Sequence, residues 1–269
     1  MSRDNQDERL VADGATWIVD LDGVIWLAGE PIGEVGTAVS ALRDRGVRIV
    51  FATNNSAPTT GELVARLARV GIPATSGDLV TSAQAAASLL DPGSAAMVLA
   101  EGGVVEALES RGLVIRDAGP VDAVVVGWTH HFDFESLTRV SGAVREGARL
   151  IGTNEDPTFP TPSGMVPGSG ALLAAVATAS GVEPVIAGKP HPATVALLQS
   201  RFELDGSSGP VLMVGDRPMT DGHLAVRLGV PFALVDSGVT SATVDVSEVP
   251  VDHRAKDFAA LVDQCLASR

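Results

Sequence analysis

The sequence has a single cysteine, no tyrosine, and aromatic residues amount to only 4% of its 269 residues. The cysteine, Cys265, lies near the C-terminus, so a disulfide framework within the chain is excluded and a catalytic thiol is not expected there. This usage fits a reducing compartment, and we expect a cytoplasmic protein. Because aromatic side chains are few, aliphatic residues must supply the core volume of this globular chain.

Positive charge is also scarce, with 19 Lys and Arg against 33 Asp and Glu, for a net charge of −14 at pH 7. An acidic surface repels phosphate backbones and anionic headgroups, so neither nucleic acid nor a membrane is an expected partner. The apolar stretch ALLAAVATA (171–179) is far too short to span a bilayer. The polar N-terminus, MSRDNQDERL, does not resemble a secretory signal.

Apolar runs alternate with helical patterns along the chain. Residues 15–20 and 47–53 are typical of buried strands, whereas 35–46 and 61–71 carry apolar residues at helical spacing and end in glycine. The alternation of strand and helix predicts a parallel sheet with crossover helices. The segment 152–170 is rich in glycine and proline, and we expect an irregular loop there.

Three predicted strands end in a polar residue, namely Asp20, Thr53 and Asp216. Open α/β sheets bind ligands beyond the carboxyl ends of their strands. We therefore expect these three residues to converge on one crevice.

Carboxylates gathered in that crevice must either have raised pKa values or be balanced by a counter-ion. Asp20, Asp22, Asp216 and Asp221 would repel one another, because like charges a few ångströms apart oppose ionisation. Mg²⁺ resolves the conflict, since it prefers oxygen ligands and binds through carboxylates, waters and a substrate phosphate. Zinc is not indicated, because the adjacent histidines at 130–131 lack ligand spacing and are better explained as surface or loop residues.

The same residue types suit phosphoryl transfer. A carboxylate at a strand end can attack phosphorus and form an aspartyl phosphate, and a second can protonate the leaving oxygen and then activate water. A hydroxyl and a lysine can hold the phosphoryl oxygens. Asp20, Asp22, Thr53 and Lys189 fill these roles in that order, and Lys189 is one of two lysines in a chain whose other cations are arginines.

Four motifs resemble those of the haloacid dehalogenase superfamily of phosphatases and occur in the same order: DLDGVIW (20–26), TNNS (53–56), GKPHP (188–192) and GDRPMTD (215–221). The segment 152–176 is similar to the cap of the subfamily that holds the phosphoglycolate/glycerol phosphate, pyridoxal phosphate and p-nitrophenyl phosphate phosphatases. The chain departs from the family pattern after the last motif, where Gly222 and His223 replace the usual apolar continuation.

The resemblance implies a role for each matching residue. Asp20 would be the nucleophile and Asp22 the general acid and base. Thr53, helped by Asn54, would bind the phosphoryl group, and Lys189 would bridge it to Asp20.

The resemblance also implies the metal ligands. Asp216 would bind Mg²⁺ together with a carboxylate of Asp20 and the main-chain carbonyl of Asp22. Asp221 would support the water shell of the metal.

In fold, the resemblance implies a doubly wound, Rossmann-like α/β core (1–81 and 185–269), interrupted by an inserted α/β cap (82–184) that selects the substrate. Asn154 and Asp156 belong to this cap, where they could line the substrate pocket or merely turn the chain. A homodimer through the cap is a further expectation from the family.

The sequence thus favours hydrolysis of a small phosphorylated metabolite, with two other classes left open. A phosphoacceptor of the receiver type also uses strand-end aspartates with Mg²⁺, but it is one small domain. A non-catalytic α/β protein that binds a small ligand would not need the metal. Dehalogenase chemistry on the same scaffold is disfavoured by Asp22, which that branch does not require.

Overall fold

The computed structural model describes residues 8–161, 164–204, 209–238 and 248–267. It divides into two compact units. The first contains the residues up to Ala52, Val64–Val80 and those from Leu198 onward, and the second contains Thr53–Leu63 and Thr81–Leu197.

Strands and helices alternate along the chain, as predicted. The strands are β1 (Thr16–Val19), β2 (Trp26–Leu27), β3 (Glu30–Pro31), β4 (Arg48–Thr53), β5 (Leu79–Thr81), β6 (Ala95–Leu99), β7 (Val114–Ile115), β8 (Ala123–Val126), β9 (Arg149–Gly152), β10 (Thr158–Thr161), β11 (Gly164–Pro167), β12 (Val185–Ile186), β13 (Val211–Gly215), β14 (Phe232–Val235) and β15 (His253–Ala255). The α-helices are α1 (Val35–Arg43), α2 (Thr60–Arg69), α3 (Ser82–Ser88), α4 (Gly102–Ser110), α5 (Phe134–Arg145), α6 (Ser169–Ser180), α7 (Pro192–Phe202), α8 (His223–Leu228) and α9 (Phe258–Ala267).

The first unit is built on a six-stranded sheet in the order β15-β14-β13-β1-β4-β5. β1 lies inside the sheet and pairs in parallel with both β13 and β4, so that Val19 is opposite Val214 on one side and Phe51 on the other. All four residues of β1 are buried, which is typical of a parallel strand covered on both faces. The carboxyl ends of β1, β4 and β13 therefore lie along one edge of the sheet, as expected.

The core of the first unit depends on Trp17 of β1, which is fully buried. Its indole N–H donates a 2.7 Å hydrogen bond to the carbonyl oxygen of Leu10, and its ring meets Phe258 edge-on at 6.0 Å between centroids. Phe258 begins α9, which packs against α1.

The second unit has its own five-stranded sheet, β12-β9-β8-β6-β7, in which every neighbouring pair is parallel. Helices α3 and α4 supply small aliphatic side chains to one buried cluster, and α5 and α6 supply a second cluster. The α/β class is thus confirmed, and aliphatic residues fill both clusters, as the scarcity of aromatic residues requires.

The prediction of an irregular loop over residues 152–170 is wrong in part. Strands β10 and β11 form an antiparallel hairpin there, in which Thr158 is opposite Pro167. Each strand of this two-stranded ribbon is an edge, where a proline without an N–H is tolerated.

Helix α4 was not predicted, since it opens with two glycines, which are weak helix formers. Gly103 is nevertheless required there, because a Cβ would overlap the carbonyl oxygen of Pro58.

No helix in the described part of the chain is both long enough and apolar enough to cross a membrane.

A capping box formed by Thr81 and Gln84 begins α3. The Thr81 hydroxyl accepts a 3.2 Å hydrogen bond from the Gln84 backbone N–H, and the Gln84 side-chain oxygen accepts one of 3.2 Å from the Thr81 N–H. Replacing Thr81 with alanine removes the first acceptor, so the free energy of unfolding should fall by about 1 kcal/mol in urea denaturation. Ser40→Ala, on the exposed face of α1, is the control and should change it by less than about 0.5 kcal/mol. Equal effects of the two substitutions would contradict the prediction.

Candidate active site

Three aspartates meet at the carboxyl edge of the six-stranded sheet. Asp20 follows β1, Asp216 follows β13, and Asp221 lies in the wide helical turn Pro218–Gly222 that precedes α8. One carboxylate oxygen from each lies within 4.8 Å of the other two, and the residues are 7%, 1% and 0% exposed. We call Asp20, Asp216 and Asp221 the acidic cluster.

The backbone around the acidic cluster leaves room for these carboxylates. Gly23 has a φ of +93°, which favours glycine, and a Cβ there would lie 2.5 Å from Oδ2 of Asp216. At Gly215, a Cβ would overlap the side chain of Asp221. Oδ2 of Asp221 accepts a 3.1 Å hydrogen bond from the backbone N–H of Arg217, which orients the carboxylate.

Asp22 lies in the turn after β1, and its carboxylate is not a member of the acidic cluster. The indole N–H of Trp26 donates a 3.0 Å hydrogen bond to its Oδ1. Trp26 is only 3% exposed, so this contact fixes the half-buried side chain of Asp22. The sequence motif contains Trp26, but nothing in the pattern indicated that it would hold Asp22.

The acidic cluster is suited to a divalent cation. Its donors are all carboxylate oxygens, which Mg²⁺ and Ca²⁺ prefer and which zinc sites seldom use alone. Buried carboxylates at this separation disfavour one another's ionised form unless positive charge is present. The cluster and the close glycines together therefore fit the magnesium site expected from the sequence.

In the second unit, Asn54 holds the backbone of Lys189. Oδ1 of Asn54 accepts a 2.7 Å hydrogen bond from the Lys189 N–H, and Nδ2 donates one of 3.1 Å to the Lys189 carbonyl oxygen. Nδ2 also lies 3.4 Å from Oδ2 of Asp156. Lys189 is 3% exposed, and a Cβ on the preceding Gly188 would lie 2.6 Å from Oδ1 of Asn54, so the glycine permits this close approach.

Asn154 fixes Asn54 in turn. Its Nδ2 donates hydrogen bonds of 2.7 Å to the Asn54 carbonyl oxygen and 3.3 Å to the Ser169 hydroxyl, and its Oδ1 accepts one of 3.1 Å from the Asp156 N–H. The Ser82 hydroxyl donates a 2.7 Å hydrogen bond to the same carbonyl oxygen. The structure thus brings together Asn54, Asn154, Asp156 and Lys189, and their roles in substrate binding stay predictions.

Thr53 is the last residue of β4 and is 3% exposed. Its hydroxyl accepts a 3.0 Å hydrogen bond from the Asn55 N–H, and the Asn55 side chain accepts one of 3.2 Å from the Ala57 N–H. These are the local turns that Ser, Thr and Asn commonly form. The TNNS motif therefore forms the turns that follow the end of β4, in addition to any role in binding.

One side-chain contact near Lys189 was not predicted. Nε2 of His191 lies 2.9 Å from Oε1 of Glu155, and Glu155 stands between Asn154 and Asp156 in the sequence. Because the two partners are far apart along the chain, no local pattern indicates their contact.

The adjacent histidines at 130–131 are exposed, as expected, and the described residues hold no metal-ligand group that includes them. The His130 N–H and the Thr129 hydroxyl donate to Glu101. Burial raises the pKa of Glu101, but these hydrogen bonds and the nearby histidines outweigh burial and bring the pKa below its ordinary value.

Trp128 is half-buried. Its ring contacts His130 and Phe159 at 4.4 and 5.5 Å between centroids. It lines a pocket of about 450 Å³ in the second unit.

The sequence matches two family models. Residues 17–114 match the haloacid dehalogenase-like hydrolases, and residues 186–261 match a second model of the same kind of hydrolase.

Named relatives cover most of the chain. An acid sugar phosphatase of Staphylococcus saprophyticus is 32% identical over 92% of this chain and 96% of its own length, and a dihydroxyacetone phosphatase of Corynebacterium glutamicum is 35% identical over 92% and 90%. The crystal structure of a glycerol phosphate phosphatase from Mycobacterium tuberculosis in complex with magnesium superposes with a TM-score of 0.82 at 34% identity, over 91% of this chain and 75% of that one.

Replacing Asn54 with alanine leaves the buried N–H and C=O of Lys189 without their side-chain partner. The free energy of unfolding should fall by about 1–3 kcal/mol, the usual cost of unsatisfied buried polar groups. Asn55→Ala removes only a local turn contact and should cost less. Urea denaturation of both variants checks this, and a loss for Asn55→Ala as large as that for Asn54→Ala would refute it.

The acidic cluster predicts that a divalent cation stabilises the protein. Millimolar MgCl₂ should raise the melting temperature of the wild type, because a ligand that binds only the folded state stabilises it by about 2.7 kcal/mol at a hundred times its Kd. Asp216→Asn should abolish most of this increment, while Asp44→Asn, at an exposed position after α1, should retain it. Full retention of the increment in Asp216→Asn would show that the cluster is not the cation site.

Proposed function

The chain belongs to the haloacid dehalogenase-like hydrolases, and we propose that it is a Mg²⁺-dependent phosphatase of small phosphate monoesters. The observation that carries this proposal is the buried acidic cluster at the carboxyl edge of a parallel sheet. The relatives are named acid sugar phosphatase, dihydroxyacetone phosphatase and glycerol phosphate phosphatase, and these names support a small phosphorylated metabolite as the substrate.

Mg²⁺ would be held by carboxylates of Asp20 and Asp216 and by the main-chain carbonyl of Asp22, with Asp221 binding its water shell. When bound, the ion would offset the negative charge of the phosphoryl group and of the acidic cluster. The magnesium complex of the mycobacterial phosphatase supports this choice of ion.

In the first half of the reaction, a carboxylate oxygen of Asp20 attacks phosphorus and the bond from phosphorus to the leaving oxygen breaks. The protonated carboxyl of Asp22 gives its proton to that oxygen, so a neutral alcohol departs. The hydrogen bond from Trp26 to Oδ1 keeps the Asp22 side chain in one orientation for this transfer.

In the second half, the Asp22 carboxylate takes a proton from a water molecule, and the water oxygen attacks the phosphorus of the aspartyl phosphate. The bond between phosphorus and Asp20 breaks, inorganic phosphate is released, and Asp22 is protonated again. Both residues thus return to their starting states.

The phosphoryl oxygens would be bound by the Thr53 hydroxyl, by Asn54 and by the Lys189 ammonium. The two hydrogen bonds from Asn54 to the Lys189 backbone support this role, because they restrict the residue that carries the positive charge. Asn154 and Asp156 contact Asn54 and would complete the substrate side of the pocket.

Residues 1–81 and 185–269 would form the catalytic core and 82–184 the cap that selects the leaving group. The start of α3 at Ser82, directly after β5, supports the first of these boundaries. A cytoplasmic location and a homodimer through the cap complete the proposal.

Phosphate release from glycerol 3-phosphate, dihydroxyacetone phosphate and sugar phosphates, with and without Mg²⁺, tests the proposed function. Asp20→Asn lacks the nucleophile and should lose at least about a thousandfold in rate. Asp22→Asn lacks the proton donor and should lose about 10²–10⁴-fold. The control Asp44→Asn should match the wild type.

Full activity of Asp20→Asn would end the proposal. A phosphate on Asp20 that persists for minutes and is unaffected by Asp22→Ala would instead indicate a phosphoacceptor.

A further inference from the structure

The segment that follows β14 leaves the sheet beside the acidic cluster. β14 pairs in parallel with β13, and Leu234 is opposite Gly215, so the residues after β14 emerge at the edge where Asp216 follows β13. This segment, Asp236–Gly238, belongs to none of the four sequence motifs.

Gly238 lies against the carboxylate of Asp216. A Cβ built on Gly238 would overlap Oδ2, Cγ and Cβ of Asp216. No left-handed φ is involved at this glycine, so the requirement is one of space alone. A Cβ on Gly23 would also lie within 2.5 Å of Oδ2 of Asp216, and the carboxylate therefore packs against two glycines from different parts of the chain.

The segment is anchored at its start and in its middle. Asp236 donates its backbone N–H to the Ala255 carbonyl oxygen at 3.0 Å and forms an ion pair with Arg254 in which Nη2 and Oδ1 are 2.8 Å apart. The hydroxyl of Ser237 donates a 2.8 Å hydrogen bond to the carbonyl oxygen of Gly23. The two glycines that contact Asp216 are thereby linked to each other.

From this geometry we infer that Ser237 and Gly238 are positioning residues of the metal site. Gly238 provides the space in which the Asp216 carboxylate is aimed at the cation, and Ser237 holds Gly23 and Gly238 at a fixed separation across it. Neither residue ligates the ion. The inference rests on the proposed function, because it assigns the cation to the acidic cluster.

The test is calorimetric titration of the full-length protein with MgCl₂. In Gly238→Ala the added methyl group must displace the Asp216 carboxylate, and the affinity for Mg²⁺ should fall about 10–100-fold, as it does when the partners of metal ligands are altered. The matched control is Gly61→Ala in the first turn of α2, where a Cβ meets nothing within 4 Å, and its affinity should equal that of the wild type.

Ser237→Ala covers the case in which Gly238→Ala does not fold. It adds no atoms and removes only the hydrogen bond to Gly23, so the affinity should fall about 2–10-fold, the equivalent of one hydrogen bond. Ser40→Ala is its control, and circular dichroism before titration establishes that each variant is folded.

Weaker Mg²⁺ binding in the folded variants, with unchanged controls, supports the positioning role. Wild-type affinity in Gly238→Ala, or in Ser237→Ala where Gly238→Ala does not fold, overturns it while leaving the proposed phosphatase intact. A wild-type protein that binds no Mg²⁺ and releases no phosphate overturns the proposed function, and the inference with it.

Discussion

Mutual repulsion among buried carboxylates is the constraint around which the first unit is arranged. Asp20, Asp216 and Asp221 are nearly inaccessible, and an oxygen of each lies within 4.8 Å of the others. Such an arrangement is stabilised where positive charge offsets the repulsion and the backbone fixes each side chain. Parallel strands deliver Asp20 and Asp216 to one edge, and the turn before α8 delivers Asp221 to the same place.

In the second unit, the main requirement is that buried uncharged polar groups form hydrogen bonds. Asn54, Asn154, Ser82 and Ser169 lie in contact, and their hydrogen bonds connect segments that are far apart in the sequence. A buried polar network contributes to a unique structure when its members are paired. The acidic cluster thus lies in the first unit and this hydrogen-bonded network in the second, and the proposed reaction assigns metal binding to the former and phosphoryl binding to the latter.

Features that depend on local periodicity could be predicted from the sequence. The apolar runs before Asp20 and Asp216 indicated parallel strands, and the family resemblance assigned Asp20, Asp216 and Asp221 to a metal site before any geometry was available. The capping box at Thr81 can also be predicted from the sequence, because its two residues are only three positions apart.

Features that depend on contacts between distant segments could not be predicted. The approach of Gly238 to Asp216 and the hydrogen bonds of Asn154 to Asn54 join residues that no helical or strand period relates. The hairpin at 158–167 could not be predicted for another reason. Proline and glycine usually indicate irregular backbone, but an isolated two-stranded ribbon tolerates both.

The side chain of Asn54 forms hydrogen bonds with the main-chain N–H and carbonyl of Lys189. These two groups are the same in every residue except proline. The two hydrogen bonds from Asn54 therefore require no particular side chain at position 189. A different charge at this position would keep these contacts, provided that the new side chain fits the buried space that Lys189 occupies.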